Sequence, residues 1–120
     1  MLRKFSVETS RGKKFLQLEI ADGFFARLLG LMGRKKLPQG QGLLIVPCNS
    51  IHMLFMRFSI DAVYVDENYA VKKIARNLRP WLGISLCFGA HAVIELPAGD
   101  ADRLGLNVGD KIFPADNRKA

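Results

Sequence analysis

The sequence has little cysteine, no long apolar run and no phosphate-loop signature, and each absence removes a class of protein. Two cysteines, Cys48 and Cys87, cannot build the multi-disulfide framework that holds many small secreted domains together, so reduced thiols and a cytoplasmic setting are expected. No stretch approaches the roughly 20 apolar residues of a membrane-spanning helix. Met1 to Ser10 carries basic residues with no apolar segment behind them, so no secretory signal is expected. Gly30, Gly40 and Gly42 are not followed by the Gly-Lys-Ser/Thr of a phosphate loop. Internal repeats and low-complexity linkers are absent as well.

What is present fits one domain spanning 1–120. The 120 residues are 49% hydrophobic and 24% charged, an ordinary balance for a chain that builds its own core. Eighteen Lys and Arg against eleven Asp and Glu leave a net charge of +7. That excess invites a nucleic-acid reading, because basic surfaces attract phosphate. The cations are dispersed, however. Arg3, Lys4, Arg11, Lys13 and Lys14 come first, then Arg34 to Lys36, then Lys72, Lys73, Arg76 and Arg79, and finally Arg118 and Lys119. Solvated faces are the plainer reading, and any nucleic-acid binding should be weak and salt-sensitive.

Strand signals dominate. Phe5 to Thr9 and Phe15 to Ile20 alternate around a Ser10–Lys13 turn and read as a hairpin, with Leu16, Leu18 and Ile20 on one face. Asp22 is placed to cap a short helix over Gly23 to Met32, its apolar face built from Phe24, Leu28, Leu31 and Met32 and widened by Phe25 and Leu29. Leu43 to Val46, Ile51 to Phe58 and Ile60 to Asp66 read as strands, the last two central and buried on both sides. Ala70 to Ala75 returns after the Asp66–Asn68 turn. Asn77 to Gly89 reads as a long loop holding Pro80 and Trp81. Ala92 to Leu96 is a further strand. A second short helix opens at Pro97 and Gly99 and stops at Gly105, and Lys111 to Phe113 is the last strand. The expected fold is α+β and β-rich: a curled, mostly antiparallel sheet or small open barrel with two short helices.

The middle of the chain carries an ordered set of motifs. Arg27-Leu-Leu-Gly30-Leu31-Met32-Gly-Arg34 precedes Leu37 and a Gly40-Gln-Gly42-Leu-Leu-Ile run. Ile51-His52-Met-Leu-Phe55-Met56-Arg57-Phe-Ser-Ile60-Asp61-Ala-Val-Tyr-Val65-Asp66 follows, then Val93-Ile-Glu95-Leu96-Pro97-Ala98-Gly99, Gly105 and Val108-Gly109-Asp110. In order and spacing these resemble the domain of unknown function family 192, over about Phe15 to Phe113 (15–113). The resemblance implies a compact β-rich fold and no assigned reaction. Many of that family's members resemble secreted or anchored proteins with an N-terminal signal, a feature this sequence does not share.

Among polar residues, Asp61 is the most informative, because it interrupts a mostly apolar run and an ionised carboxylate there needs partners. It could accept backbone N–H groups in a turn begun by Ser59, or it could contact a ligand beside Arg27, Arg34 or Arg57. The site expected from the second reading joins Arg27, Arg34, His52, Arg57 and Asp61 around a small anionic ligand. Arg27 and Asp61 pair at the floor of a pocket, with Arg57 or Arg34 at its rim.

Cys48/His52 and Cys87/His91 share a C-x-x-x-H spacing that could be drawn as a zinc site, but strand residues four apart lie about 13 Å from each other. No metal and no cofactor are therefore expected. A Cys48–His52–Asp61 nucleophilic set is a third, weaker drawing. Glu95 reads as a structural anchor. Trp81, beside Pro80, is expected to be the one exposed aromatic stacking surface. The reading carried forward is a small non-enzymatic binding or accessory domain, with a basic nucleic-acid-binding module and a Cys/His hydrolase or metal protein as alternatives.

Overall fold

A computed structural model of the chain describes residues 2–115 apart from 24, 25, 28 and 29. Alternation builds its first element pair. β1 (Arg3–Thr9) and β2 (Gly12–Ala21) form an antiparallel hairpin closed at Thr9–Gly12. Leu16 and Leu18 are buried while Phe15 and Gln17 stay exposed, as the two-residue period requires. The remaining strands are β3 (Gln41–Ile45), β4 (Ser50–His52), β5 (Ile60–Val65), β6 (Val71–Leu78), β7 (Ile84–Leu86), β8 (Ala92–Pro97) and β9 (Lys111–Pro114).

Seven of these make one sheet in the order β6-β5-β8-β3-β2-β1-β9, with β2 and β3 parallel and the other neighbours antiparallel. The sheet curls until its two edges meet at one corner, where Ala70 bridges Lys111 and the amide of Val71 donates to the Asp110 carbonyl at 2.8 Å. This is a mixed half-barrel, close to the expected curled sheet.

The helices depart from expectation. α1 (Asp100–Leu104) lies where the second helix was expected, with Gly105 ending it at a left-handed φ of 71°. Of the first, Ala26 and Arg27 are helical, and the Arg27 amide donates to the Gly23 carbonyl at 2.9 Å. Phe24, Phe25, Leu28 and Leu29 lie outside the described residues. Among the described residues there is thus one complete short helix, not two.

A larger correction concerns Ile51 to Phe58. Only Ser50–His52 is a strand, and it pairs with β7 in a separate two-stranded sheet. The chain then turns at Leu54 and Phe55, and Phe55 sits at φ 65°. β7 itself falls inside the segment expected to be loop.

Curling gives the main sheet two buried faces. The concave face encloses Phe5, Leu16, Leu18, Val63, Val65, Ile94, Leu96 and Ile112, closed at one end by Ala101 and Leu104 of α1. The convex face buries Leu43, Ile45, Ala62, Tyr64 and Val93 beneath Leu31, Ile51, Met53 and Met56, which come from the segments that cross over it. Every residue of β5 is buried because both faces of that strand are covered. Each large apolar side chain so enclosed contributes about 1.5–3 kcal/mol relative to exposure.

Candidate functional site

Two carboxylates enter the buried sheet on neighbouring strands. Asp61 of β5 pairs with Leu96 of β8, and Ala62 pairs with Glu95. The pleat points Asp61 to the concave face with Val63 and Val65, and Glu95 to the convex face with Val93.

Asp61 meets backbone, not arginine. Its Oδ1 accepts the Asn77 amide at 2.9 Å, and its Oδ2 accepts the amides of Gly99 and Ala101, both at 3.0 Å. Three N–H donors satisfy the carboxylate and pin the start of α1 to the end of β6. The Arg27–Asp61 pair expected from the sequence is absent, because the two side chains belong to opposite faces of the sheet. The strand that bears Asp61 does not extend back through 53–59, so Met53 and Phe55 are not part of it.

Glu95 has a different surrounding. It is 5% exposed, and among the described residues its Oε1 has no hydrogen-bond partner. Burial pushes its carboxyl up to about 7, and the Arg34 charge only partly opposes this. Above it lies a pocket of about 190 Å³ whose described lining includes Arg27, Cys48, Ser50, His52 and Glu95 over an apolar floor of Leu31, Ile45, Ile51 and Met56. Oε1 faces Gly30, where an added Cβ would stand 3.8 Å away. The pocket exists because the segment around Arg27 to Met32 and the Cys48–Met56 segment both cross the convex face beside β8.

The expected site residues are therefore divided. Arg27 and His52 line this pocket together. Arg34 lies beside it and bonds Glu19 at 2.7 Å, which holds the Glu19 carboxyl below its ordinary value. Arg57 is exposed and outside the described lining, and Asp61 is on the other face.

Cys48 and His52 line the same pocket, and each bonds to backbone. The Cys48 thiol donates to the Ser50 carbonyl at 3.1 Å, and burial pushes its pKa up, the reverse of an activated nucleophile. His52 Nδ1 accepts the Leu54 amide at 3.2 Å. With Asp61 remote, the Cys48–His52–Asp61 set does not assemble. Among the described residues no three His, Cys, Asp or Glu side chains gather as a metal ion would require. Deeper in the same core, the Tyr64 and Ser85 hydroxyls are buried without a hydrogen bond of good geometry; burial pushes the Tyr64 phenol up, and the nearby Ser85 hydroxyl counters it. Glu95 is the residue that sequence reasoning set aside, although its signal, a carboxylate inside a Val-Ile-x-Leu strand, is the one that singled out Asp61.

The basic groups are partly neutralised. Lys13 pairs with Glu8, Arg76 with Asp102 and Arg103 with Asp100. Arg118 and Lys119 lie outside the described residues.

Comparison with known proteins places this chain in an uncharacterised family. The family profile DUF192, described as Uncharacterized ACR, matches residues 6–113. A UPF0127 protein of Thermococcus sibiricus is 35% identical over 112 residues, which is 88% of this chain and 71% of that protein. A crystal structure of a protein of unknown function from Novosphingobium aromaticivorans superposes with a TM-score of 0.86 at 26% identity, covering 92% of this chain and 84% of the other. Another, from Sinorhizobium meliloti and provisionally described as a transcription regulator, gives a TM-score of 0.88 at 24% identity over 96% and 95% of the two chains, a likeness of fold alone. Among the described residues no helix is long and apolar enough to cross a membrane.

Proposed function

Because the chain belongs to the DUF192 family, described only as uncharacterised, we propose its function from the pocket itself: a non-catalytic domain that binds a small organic acid on the convex face of the sheet. The observation that carries this reading is the buried Glu95, whose Oε1 has no partner among the described residues and which lines a pocket together with Arg27 and His52. A buried polar atom without a partner is rare in folded proteins, and a ligand seated in the pocket would supply one. The apolar floor takes a hydrocarbon body. Arg27 supplies a fixed positive charge for a carboxylate head, and protonated Glu95 can donate a hydrogen bond to the same oxygen. At about 190 Å³ the space is below the roughly 300–1,000 Å³ of drug-sized sites, so the ligand is small.

This reading keeps the small anionic ligand and moves it away from Asp61 and Arg57. Titration calorimetry with short-chain monocarboxylates and with succinate tests it. A bound acid that needs protonated Glu95 should bind about tenfold more weakly at pH 8 than at pH 6, given a carboxyl near 7. Arg27→Ala should remove most of the affinity without changing the circular dichroism. Absence of binding at millimolar acid, or binding indifferent to Arg27→Ala, defeats the proposal.

A further inference from the structure

Two loops fastened together, one of them leading on from the pocket-lining His52, carry an exposed apolar surface of unusual composition. The first follows β4 and holds Leu54 and Phe55; the second joins β6 to β7 and holds Trp81 and Leu82. They are fastened to one another by backbone: the Trp81 amide donates to the Met53 carbonyl at 2.7 Å, and the Met53 amide donates to the Gly83 carbonyl at 2.9 Å. Phe55 and Trp81 both occupy left-handed backbone, at φ 65° and 69°, a conformation bulky side chains rarely adopt. Their rings meet edge to face with centroids 4.8 Å apart. The outcome is a rigid platform on which Phe55 is 58%, Trp81 54%, Leu82 80% and Ile84 76% exposed. Phe55, expected from the sequence to be interior, belongs to this surface with Trp81.

The charge around the platform has one sign. Residues 46–59 and 77–94 contain no Asp or Glu, and they contribute Arg57 and Arg79. Lys73 adds a third cation at the platform's side, its Nζ donating to the Leu86 carbonyl at 2.7 Å. Among the described residues no carboxylate lies within ion-pairing distance of these three, in contrast to Arg34, Arg76 and Arg103. The carboxylates Asp66 and Glu67 begin only beyond Phe88, beside Gly89 and His91.

We propose that this platform docks the protein on a membrane surface containing anionic lipid. Leu82 and Ile84 enter the headgroup–acyl boundary, Trp81 lies at the interface, and Arg57, Arg79 and Lys73 meet lipid phosphates. Three features select this occupant. Side chains exposed by three-quarters or more project from the surface, the shape suited to insertion between lipids. Aliphatic residues outnumber aromatic ones, which disfavours base stacking on nucleic acid. A cationic rim without carboxylates complements the negative surface potential of anionic bilayers, and an aromatic at headgroup depth with aliphatic residues beneath it is the usual interfacial arrangement.

Trp81 is the only tryptophan in the chain, so its emission reports on the platform directly. The full chain is mixed with vesicles of phosphatidylcholine alone, and of phosphatidylcholine with an equal part of phosphatidylglycerol, and followed by fluorescence and co-sedimentation. The expected result is a blue shift and sedimentation with the phosphatidylglycerol vesicles, weakened by salt and slight with phosphatidylcholine alone. Leu82→Ser with Ile84→Ser should lower partitioning by about tenfold or more. Arg57→Glu with Arg79→Glu should reduce binding to that seen on neutral vesicles. All four positions are exposed, and far-ultraviolet circular dichroism checks that the variants fold.

Vesicles that leave the Trp81 emission unchanged would overturn the proposal, as would a Leu82/Ile84 variant that binds like the wild type. A blue shift that grows with protein concentration alone, alongside a dimer in sedimentation, assigns the platform to a second copy of the chain and overturns it too. Quenching by single-stranded RNA where vesicles have no effect does the same in favour of nucleic acid.

Discussion

Glu95→Gln should make the protein more stable at alkaline pH and nearly unchanged at acid pH. Burial raises the Glu95 carboxyl from an ordinary 4.5 to about 7. Between those values the folded state holds a proton that the unfolded state has released, so stability falls as pH rises through this window. Below 4.5 both states are protonated and the penalty vanishes; above 7 both are ionised and it is constant. The shift corresponds to about 3 kcal/mol in full, of which roughly 2–3 kcal/mol develops between pH 5 and pH 8. Glutamine has nearly the same shape and does not ionise, so it avoids this loss. Other groups titrate over the same range, which makes the difference between wild type and variant the informative quantity. Urea melts of both proteins at pH 5, 6, 7 and 8 supply it. With urea slopes of about 1–3 kcal/mol/M for a domain of this size, the midpoint gap should widen by roughly 1–2 M across the range. A gap that stays constant with pH would falsify the argument and mean that Glu95 is ionised throughout.

Three further outcomes test the frame around the pocket. Asp61→Ala should cost about 2–4 kcal/mol in a urea melt, because it leaves the buried amide of Ala101 and the part-buried amides of Asn77 and Gly99 without their acceptor; adding Arg27→Ala should contribute independently, and a coupling energy between the two would count against the separation of faces. Gly42→Ala should destabilise by about 1–3 kcal/mol or more, read as a lowered thermal midpoint, since its Cβ would stand 2.5 Å from the Glu95 carbonyl oxygen and 2.7 Å from Leu96 Cδ2; a neutral result would mean that β3 and β8 can part without cost. Arg34→Ala should cost under about 1 kcal/mol, because its bond to Glu19 is a partly exposed ion pair, and a larger loss on denaturation would show that Arg34 supports the pocket in another way.

The strands were legible wherever burial imposes a pattern on the residues themselves. β2 shows alternation because only one of its faces is covered, and β5 shows an unbroken apolar run because both are. Ile51 to Phe58 defeated the same rule. Its apolar residues serve two ends: Ile51, Met53 and Met56 plug the convex core, while Leu54 and Phe55 face outward, and of these five only Ile51 lies in a strand. Hydrophobicity records none of that division, and the left-handed turn at Phe55 has no glycine to announce it. Asp61 was recognisable as a buried carboxylate needing partners, and the backbone-donor reading was available. Which donors it would meet was not, since Gly99 and Ala101 lie far along the chain and reach it only through the pairing of β5 with β8.

The contrast between Asp61 and Glu95 bears on where the protein's function lies. The two side chains leave adjacent strands at neighbouring rungs, and both are almost wholly buried. Asp61 is matched by three backbone donors, so its charge is absorbed into the architecture and its presence follows from the need to hold α1 against β6. Glu95 has no donor at Oε1 among the described residues, and its raised carboxyl weakens the fold above about pH 5. Packing would be served as well or better by an apolar or amide side chain at that rung, as buried charge replacements show in general. A residue that destabilises its own sheet while aimed into a pocket has the character of a functional group, since stability is commonly sacrificed at binding sites. On the proposed reading the convex face is the working side of this sheet, and the concave barrel, closed around the hydrogen-bonded Asp61, is its scaffold.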